Sequence, residues 1–309
     1  MKNRRTFIKQ IGLGTALVSL SPLQAFSEDA KKLIKLTILH TNDMHSHIEA
    51  FSSGKHKGLG GMFQLSSLVK KLRQEEENIL LLDAGDIFQG TPYFNLFGGE
   101  LEFSLMSSIG YDAVTIGNHD FDNGINELAS QMHHANFQFI SSNYDFSNTI
   151  LEDKVIPHKI FNKGGIKVGV FGIGIELKGL VDPKLYGNTQ YLDPVTVSNK
   201  KAHYLKKKLN CDLVICLSHL GFKYKNNKVS DMKLAAQTKN IDLIIGGHTH
   251  SFLNEPVVVK NSTKKDVLIS QVGFGAIKLG KIDFYFDKNM SDYRNSEHVF
   301  NSNVLDVIV

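Results

Sequence analysis

The sequence predicts an α/β fold built from stacked layers. Five segments share one form, a strand-like apolar run that ends in a short polar motif. The runs are continuous rather than alternating, which is typical of strands covered on both faces. Helical patterns separate them, and such alternation through short loops indicates a layered α/β architecture. The five runs span 36–39, 79–82, 113–116, 213–217 and 241–245.

The remaining elements follow in order along the chain. The helical patterns span 64–76, 101–109, 125–134, 198–209 and 231–239. The later strand-like segments, which are short or alternate in polarity, span 167–171, 257–259, 267–270 and 281–286. We expect these later strands to complete a second sheet that packs on the first. The 309 residues show no internal repeat or low-complexity linker, and an apolar fraction of 42% permits a sizeable core.

The first residues are typical of an export signal. Paired arginines, Arg4 and Arg5, precede an apolar stretch that ends near residue 20 and is too short to span a bilayer. We expect residues 1–27 to be a twin-arginine signal peptide, which implies a periplasmic or otherwise exported protein without stable membrane insertion. The segment carries four basic residues and no acid, so it accounts for the whole net charge of +4. The overall basicity therefore indicates no affinity for nucleic acid polymers.

The five polar motifs contain the candidates for chemistry. Ligands of α/β proteins bind beyond the carboxyl ends of the strands, so motifs in that position are expected to meet in one crevice. In the third motif, Gly117 frees the backbone for a sharp exit from its strand. The strand-end side chains are Asp43, His45, Asp86, Asn118, His119, Asp122, His219, His248 and His250.

This set of side chains predicts a pair of metal ions. Imidazole and carboxylate without thiolate suit Mn, Fe, Co or Zn better than Mg or Ca. The donors would overfill one open catalytic site, but two ions bridged by a carboxylate would each keep a free position. Two divalent ions and two carboxylates leave a charge of about +2, which a bridging hydroxide and a phosphoryl group would neutralise. The predicted substrate is therefore a phosphate ester.

Hydrolysis of such an ester also needs a proton donor for the departing alkoxide. A histidine that binds no metal and is held by a carboxylate is suited to this task, and His119 with Asp122 has that form.

Other polar residues near the motifs have simpler interpretations. His47 is expected to be a neighbour of the ligand His45, and Asp83 and Asp120 are expected to support the loops rather than bind metal. Surface or structural roles are expected for the histidines that lie outside the motifs, His56, His133, His134, His158, His203 and His298.

The motifs resemble the signature blocks of the calcineurin-like metallophosphoesterases, in the right order over about 210 residues. The matching blocks are Asp43-x-His45, Gly85-Asp86-x-x-x-Gly90, Gly117-Asn118-His119-Asp120, His219 and Gly247-His248-x-His250. Three stretches are similar to the 5′-nucleotidase/UDP-sugar hydrolase branch of that family. They are His40 to His45, Asn118 to Asp122, and Gly60-Gly61 ahead of a helix.

The resemblance implies a fold and a role for each matching residue. The fold is a four-layer α-β-β-α sandwich of two mixed sheets flanked by helices. The implied ligands are Asp43, His45 and His250 for the first ion, Asn118, His219 and His248 for the second, and Asp86 as the bridge. His119 and Asp122 would form the general-acid dyad, with Asn118 also near the phosphate.

The function expected from these features is an exported hydrolase of nucleotides or similar small phosphoesters, acting through a metal-bridging hydroxide. One alternative is a related hydrolase, such as a 2′,3′-cyclic-nucleotide phosphodiesterase, a UDP-sugar hydrolase or a sulfur-compound hydrolase. Another is a metal-binding or ligand-binding subunit without turnover.

The sequence differs from the 5′-nucleotidase/UDP-sugar hydrolase branch in a feature that bears on substrate selectivity. Members usually carry a C-terminal nucleotide-binding domain, and residues 28–309 correspond to the catalytic domain alone. No tandem aromatic motif follows the last metal block, so we expect weak discrimination among bases. A separate substrate-domain protein or self-association is the expected source of any selectivity.

Overall fold

The computed structural model describes residues 33–289, 293 and 298–308. The expected signal peptide, residues 1–27, lies outside these residues. The strands are β1 Leu33–Thr41, β2 Ile79–Asp83, β3 Ala113–Val114, β4 Gln138–Phe139, β5 Tyr144–Asp145, β6 Lys159–Lys163, β7 Ile166–Ile173, β8 Gln190–Tyr191, β9 Leu213–Ser218, β10 Leu243–Gly246, β11 Val257–Lys260, β12 Asp266–Ser270, β13 Lys278–Asp287 and β14 Val299–Asp306. The α-helices are α1 Met62–Glu75, α2 Pro92–Phe97, α3 Glu100–Ile109, α4 Ile125–Gln131, α5 Pro183–Tyr186, α6 Pro194–His203 and α7 Asp231–Gln237.

The strands form two large mixed sheets and one small one. The first sheet has the order β14-β13-β1-β2-β3-β4, and β1 to β4 are parallel to one another. The second sheet has the order β11-β12-β10-β9-β7-β6, with a parallel centre and antiparallel edge strands. Strands β5 and β8 form a separate antiparallel pair.

The continuous apolar runs are explained by the packing of the two sheets. In β2, Leu80 and Leu82 belong to the cluster between the sheets, whereas Leu81 belongs to the cluster under the helices of the first sheet. In β9, Ile215 faces the inter-sheet cluster and Val214 faces the cluster under α6 and α7. Each central strand therefore buries both faces, and the layers stack as helices, sheet, sheet, helices. This confirms the predicted fold class.

The assignment of strands to sheets differs from the prediction. The segment 281–286 was expected in the second sheet, but it lies in β13, which pairs with β1 at the centre of the first sheet. Its alternating pattern arises because Ile282 and Phe284 enter the inter-sheet cluster, while Lys281 and Asp283 form a buried ion pair on the other face. The motif strands also divide, with β1, β2 and β3 in one sheet and β9 and β10 in the other.

Helix α6 begins four residues earlier than its apolar pattern indicates. Asp193 caps it by accepting a hydrogen bond from Thr196 N at 2.7 Å, and Pro194 occupies the first turn. A π-helical turn, Tyr204–Lys208, continues it. Across the described residues, the helices are all too short or too polar to cross a membrane.

A buried ion pair joins this π-helical turn to the start of β10. Lys206 Nζ lies 2.9 Å from Asp242 Oδ2, and the two side chains are 4% and 17% exposed. Burial would raise the pKa of Asp242, but the charges of Lys206 and His298 outweigh it and lower the pKa to about 2. Because that pKa is depressed, the pair stabilises the fold at neutral pH, and its contribution is lost as pH falls from about 4 towards 2.

We expect Asp242→Asn to lower the free energy of unfolding by about 3–5 kcal/mol, because it leaves the Lys206 ammonium buried without its counter-charge. Urea denaturation at neutral pH measures the loss. The matched control is Asp266→Asn, since its partner Lys260 and Asp266 itself are 61% and 35% exposed. That variant should lose less than about 1 kcal/mol. Equal losses in the two variants would contradict the importance of the buried pair.

Candidate metal centre

The loops that follow β1, β2 and β10 hold their polar residues in an uncommon backbone conformation. Asp43, His45, Asp86, His248 and His250 all have φ between 47° and 70°. Residues other than glycine rarely adopt this left-handed region, and such strain is concentrated at functional sites. The loops are fixed to one another by backbone hydrogen bonds, including Asp43 N to Gly85 O at 2.9 Å and His45 N to Asp86 O at 3.0 Å.

One group of potential ligands consists of Asp43, His45 and His250. His45 Nδ1 lies 3.2 Å from Phe88 O. A carbonyl can only accept, so Nδ1 carries the hydrogen and Nε2 presents its lone pair. That Nε2 lies 2.9 Å from His250 Nε2, which is 3.4 Å from Asp43 Oδ1. The three potential ligand atoms lie as close together as the ligands of one metal ion.

The second group consists of Asp86, His219 and His248. His219 Nδ1 donates to Ala84 O at 2.6 Å, so its Nε2 also presents a lone pair. This Nε2 is buried without a hydrogen-bond partner, although Asp86 Oδ2 lies 3.0 Å away. Burial would lower the pKa of His219, but the carboxylates of Asp86 and Asp43 raise it to about 10. The position favours a positive charge between imidazole and carboxylate, which fits a metal ion.

Asn118 and Asp43 extend and connect the two groups. Asn118 Oδ1 lies 2.8 Å from His248 Nδ1, so the two atoms are close enough to be ligands of the same metal ion. The Asp43 carboxylate accepts the backbone N–H of His248 at 3.0 Å and lies 3.9 Å from His219 Nε2. The two groups are therefore neighbours, as the sequence prediction of a paired centre requires.

Two glycines are needed where the motif loops approach one another. A Cβ on Gly117 would collide with the Asp86 carboxylate, and one on Gly247 would lie 2.8 Å from His219 Nδ1. Any larger residue at either position would displace a candidate ligand.

Asp120 and Asp83 lie beneath the ligands and organise the loops. The Asp120 carboxylate accepts the backbone N–H groups of four residues, and Asp83 Oδ1 accepts that of Gly85 at 2.8 Å. The four donors to Asp120 are Asp86 at 3.1 Å, Ile87 at 2.8 Å, Phe88 at 3.2 Å and Gly117 at 2.8 Å. Both contacts agree with the supporting roles expected from the sequence.

The dyad lies beside the first group. His119 Nδ1 is 2.8 Å from Asp122 Oδ2, and the His119 ring is 5.4 Å from that of His45. The His119 side chain is 42% exposed, so substrate can reach it. The hydrogen bond to Asp122, assisted by the nearby Asp86 charge, raises the pKa of His119. The raised pKa favours the protonated form of His119.

The structure thus brings all nine predicted side chains to one edge of the sandwich. His47 lies outside both ligand groups; its Nδ1 bonds to His45 O at 3.0 Å and its ring stacks on Phe51. The loop 223–228, which carries three lysines, is largely exposed. Its Lys228 nevertheless lies close enough to His248 to contribute to a lowered pKa there, to about 4, for which burial is the main cause.

Several supporting residues were missed from the sequence. Asn42 Nδ2 donates to Asp43 Oδ2 at 2.6 Å and to Gly273 O at 2.5 Å. Gln271 Oε1 accepts from Ser251 N at 2.6 Å. Asn42 lies inside the first motif, so its position indicates a role at the site. Residues 271–275 contain no potential metal ligand, and their sequence does not indicate such a role.

Comparison with known proteins identifies relatives of the chain. Residues 36–252 match the family described as calcineurin-like phosphoesterase. The snake venom 5′-nucleotidase of Gloydius brevicauda is 35% identical over 276 residues, covering 82% of this chain and 45% of the relative. The 5′-nucleotidase of Rattus norvegicus is 33% identical over 296 residues, covering 88% and 50% respectively.

The fold is shared with a solved 5′-nucleotidase precursor from Thermus thermophilus. The TM-score is 0.78 at 30% sequence identity, and the match covers 88% of this chain and 54% of that chain. The chain spans about half the length of the curated relatives that it matches.

We expect the metal-loaded protein to contain two divalent ions per chain and Asp86→Ala to disturb both, because the family pattern predicts that Asp86 bridges them. Elemental analysis after gel filtration measures the content. His45→Ala should lose the ion of the first group. The matched control His47→Ala should retain two, because His47 belongs to neither group. A single ion in active wild-type protein would contradict a paired centre.

Proposed function

Because the chain belongs to the calcineurin-like phosphoesterase family, we propose that it is a metal-dependent hydrolase of nucleotides or similar small phosphoesters. The observation that carries the proposal is the hydrogen-bonded pair of His119 and Asp122, which lies beside two groups of metal-ligand residues. A protein that only bound metal would have no use for a positioned proton donor.

In this proposal Asp43, His45 and His250 would hold one ion, His219 and His248 would hold the other, and Asp86 would serve as the shared ligand. Divalent metal ions, with Mn, Zn, Fe and Co as the candidates, would neutralise phosphoryl charge and acidify water. Asn118 completes the second group and orients the phosphoryl group by its carboxamide. The buried carboxylates of Asp43 and Asp86 would supply the negative charge that such ions need.

The dyad completes the reaction. Water forms the new bond to phosphorus and gives up one proton to solvent. The bond from phosphorus to the leaving oxygen breaks, that oxygen takes a proton from His119, and His119 regains a proton from solvent. Nδ1 of His119 is held by Asp122, so Nε2 is the nitrogen that delivers the proton. Asp122 fixes the ring orientation and stabilises the charged imidazole.

The relatives named 5′-nucleotidases support a nucleoside monophosphate as the substrate. The twin-arginine pattern supports export of the protein, although residues 1–27 lie outside the described residues. Selectivity supplied by a separate protein or by self-association remains part of the proposal.

We expect phosphomonoesters to be hydrolysed faster than diesters when the protein is assayed with Mn²⁺. The panel contains AMP, ribose 5-phosphate, 2′,3′-cyclic AMP, a UDP-sugar and bis-nitrophenyl phosphate. Faster hydrolysis of the cyclic or UDP substrates would indicate the related hydrolases instead. No turnover of any ester by protein that holds its metal ions would refute the proposal.

We expect His119→Ala to bind metal normally and to slow the hydrolysis of AMP by roughly 10²–10⁴, the usual value of general-acid catalysis. The loss should be smaller for nitrophenyl phosphate, whose leaving group needs little protonation. Asp122→Asn should have a milder effect and move the alkaline limb of kcat/KM to lower pH, because the raised pKa of His119 depends on Asp122. The exposed His133→Ala is the control. Equal losses for alkyl and aryl esters would argue against His119 as the acid.

A further inference from the structure

An aromatic cluster lies directly against the first ligand group. It consists of Phe51, His56, Phe252 and Phe274, and it continues from the ligand His250. The Phe274 ring stacks on His250 with centroids 5.1 Å apart and planes 24° apart. Phe252 meets Phe274 at 6.0 Å and stacks on His56 at 5.9 Å and 22°. Ring contacts therefore extend from a metal ligand outward along one side of the site.

The cluster packs closely against the loop backbone because two glycines leave room for its rings. A Cβ on Gly273 would collide with the Phe252 ring, and one on Gly275 would lie 2.9 Å from the Phe51 ring. The same loop is tied to the first ligand group, since Gly275 N donates to Asp43 O at 2.8 Å. The rings and the metal ligands thus form one fixed unit, which favours binding because little order has to be gained.

The outer ring of the cluster is accessible. Phe252 is 41% exposed, although it is flanked on one side by His56 and on another by Phe274. Large aromatic side chains left exposed beside a polar site are typical of ligand-binding surfaces. The dyad also borders the first ligand group, because the His45 ring contacts both His119 at 5.4 Å and His250 at 4.9 Å. His119 serves the leaving group in the proposed reaction, so that group would depart beside His45, whose neighbour His250 is where the aromatic cluster begins.

We propose that the exposed part of the Phe252 ring, supported by His56 and Phe274, receives the aromatic part of the leaving group, which in a nucleotide is the base. This inference rests on the proposed phosphoesterase function, because it names the leaving group of that reaction. Every base has a π-face, so stacking on an aromatic ring binds all of them. The cluster would therefore favour nucleotides over sugar phosphates while discriminating weakly among the bases.

The sequence contains no tandem aromatic motif after the last metal block. The four rings instead come from three separate loops, around residues 51–56, 252 and 274.

Adenosine binding to the metal-loaded protein tests the inference without requiring turnover. We expect Phe252→Ala to raise the Kd for adenosine, measured by NMR titration, about tenfold, which corresponds to about 1.4 kcal/mol. Phe252→Trp should preserve binding because it keeps an aromatic face. The matched control is Tyr204→Ala, since Tyr204 is a 42% exposed aromatic that also contacts a histidine, His158. It lies in the turn before β9, at the opposite end of that strand from His219.

The inference is overturned if wild-type protein does not bind adenosine, or if Phe252→Ala and Tyr204→Ala bind it equally well. Circular dichroism spectra of the variants establish that each is folded.

Turnover then separates this inference from the proposed function. In Phe252→Ala the ratio of kcat/KM for AMP to that for ribose 5-phosphate should fall about tenfold. An unchanged ratio with active enzyme overturns the stacking surface and leaves the phosphoesterase function intact. Phe252-dependent adenosine binding without hydrolysis of either ester refutes the function and retains the surface.

Discussion

Two carboxylates buried where the sheets meet impose the constraint on which the site depends. Asp43 is 0% exposed and Asp86 is 1% exposed. Charges removed from water in this way are costly unless opposite charge or hydrogen-bond donors compensate them. The surroundings supply both, through backbone N–H groups from His248 and His119 and through imidazole rings whose second nitrogens are fixed by carbonyl groups. The residues around Asp43 and Asp86 are therefore those that a site for positive charge requires.

That constraint also explains the unusual backbone of the loops. To direct carboxylate and imidazole groups at a common point, the chain leaves three strands with left-handed residues and brings Gly117 and Gly247 into close contact with ligands. The strain persists because Asp120 and Asp83 bind the loop N–H groups from beneath. The stability of the two-sheet core thus offsets the strain of a backbone geometry that the loops would not adopt alone.

The two sides of the centre differ in what they offer a substrate. His219 is fully buried, whereas His119 and Phe252 are partly exposed and lie on the side of His45 and His250. A phosphoryl group at the metal ligands would therefore have its leaving group beside the proton donor and the aromatic cluster. In the proposed reaction, the metal ligands, the proton donor and the aromatic cluster would each serve a different part of the substrate.

The sequence by itself determined the fold class and the nine strand-end residues, because both leave local signals. Leu80 to Leu82 read as one apolar run since each residue is buried, and Asp43 and His45 stand out as polar groups directly after a strand. The family resemblance implied how the ligands divide into two groups. Only the tertiary structure decided which sheet each strand joined and which rings meet Phe252. The periodicity of apolar residues indicates that one face of a strand is buried, but it does not indicate which element covers that face or which strand lies beside it. The pairing of 281–286 with β1 is an example. Contacts such as His45 with His250, 205 residues apart, depend on packing that no local pattern encodes.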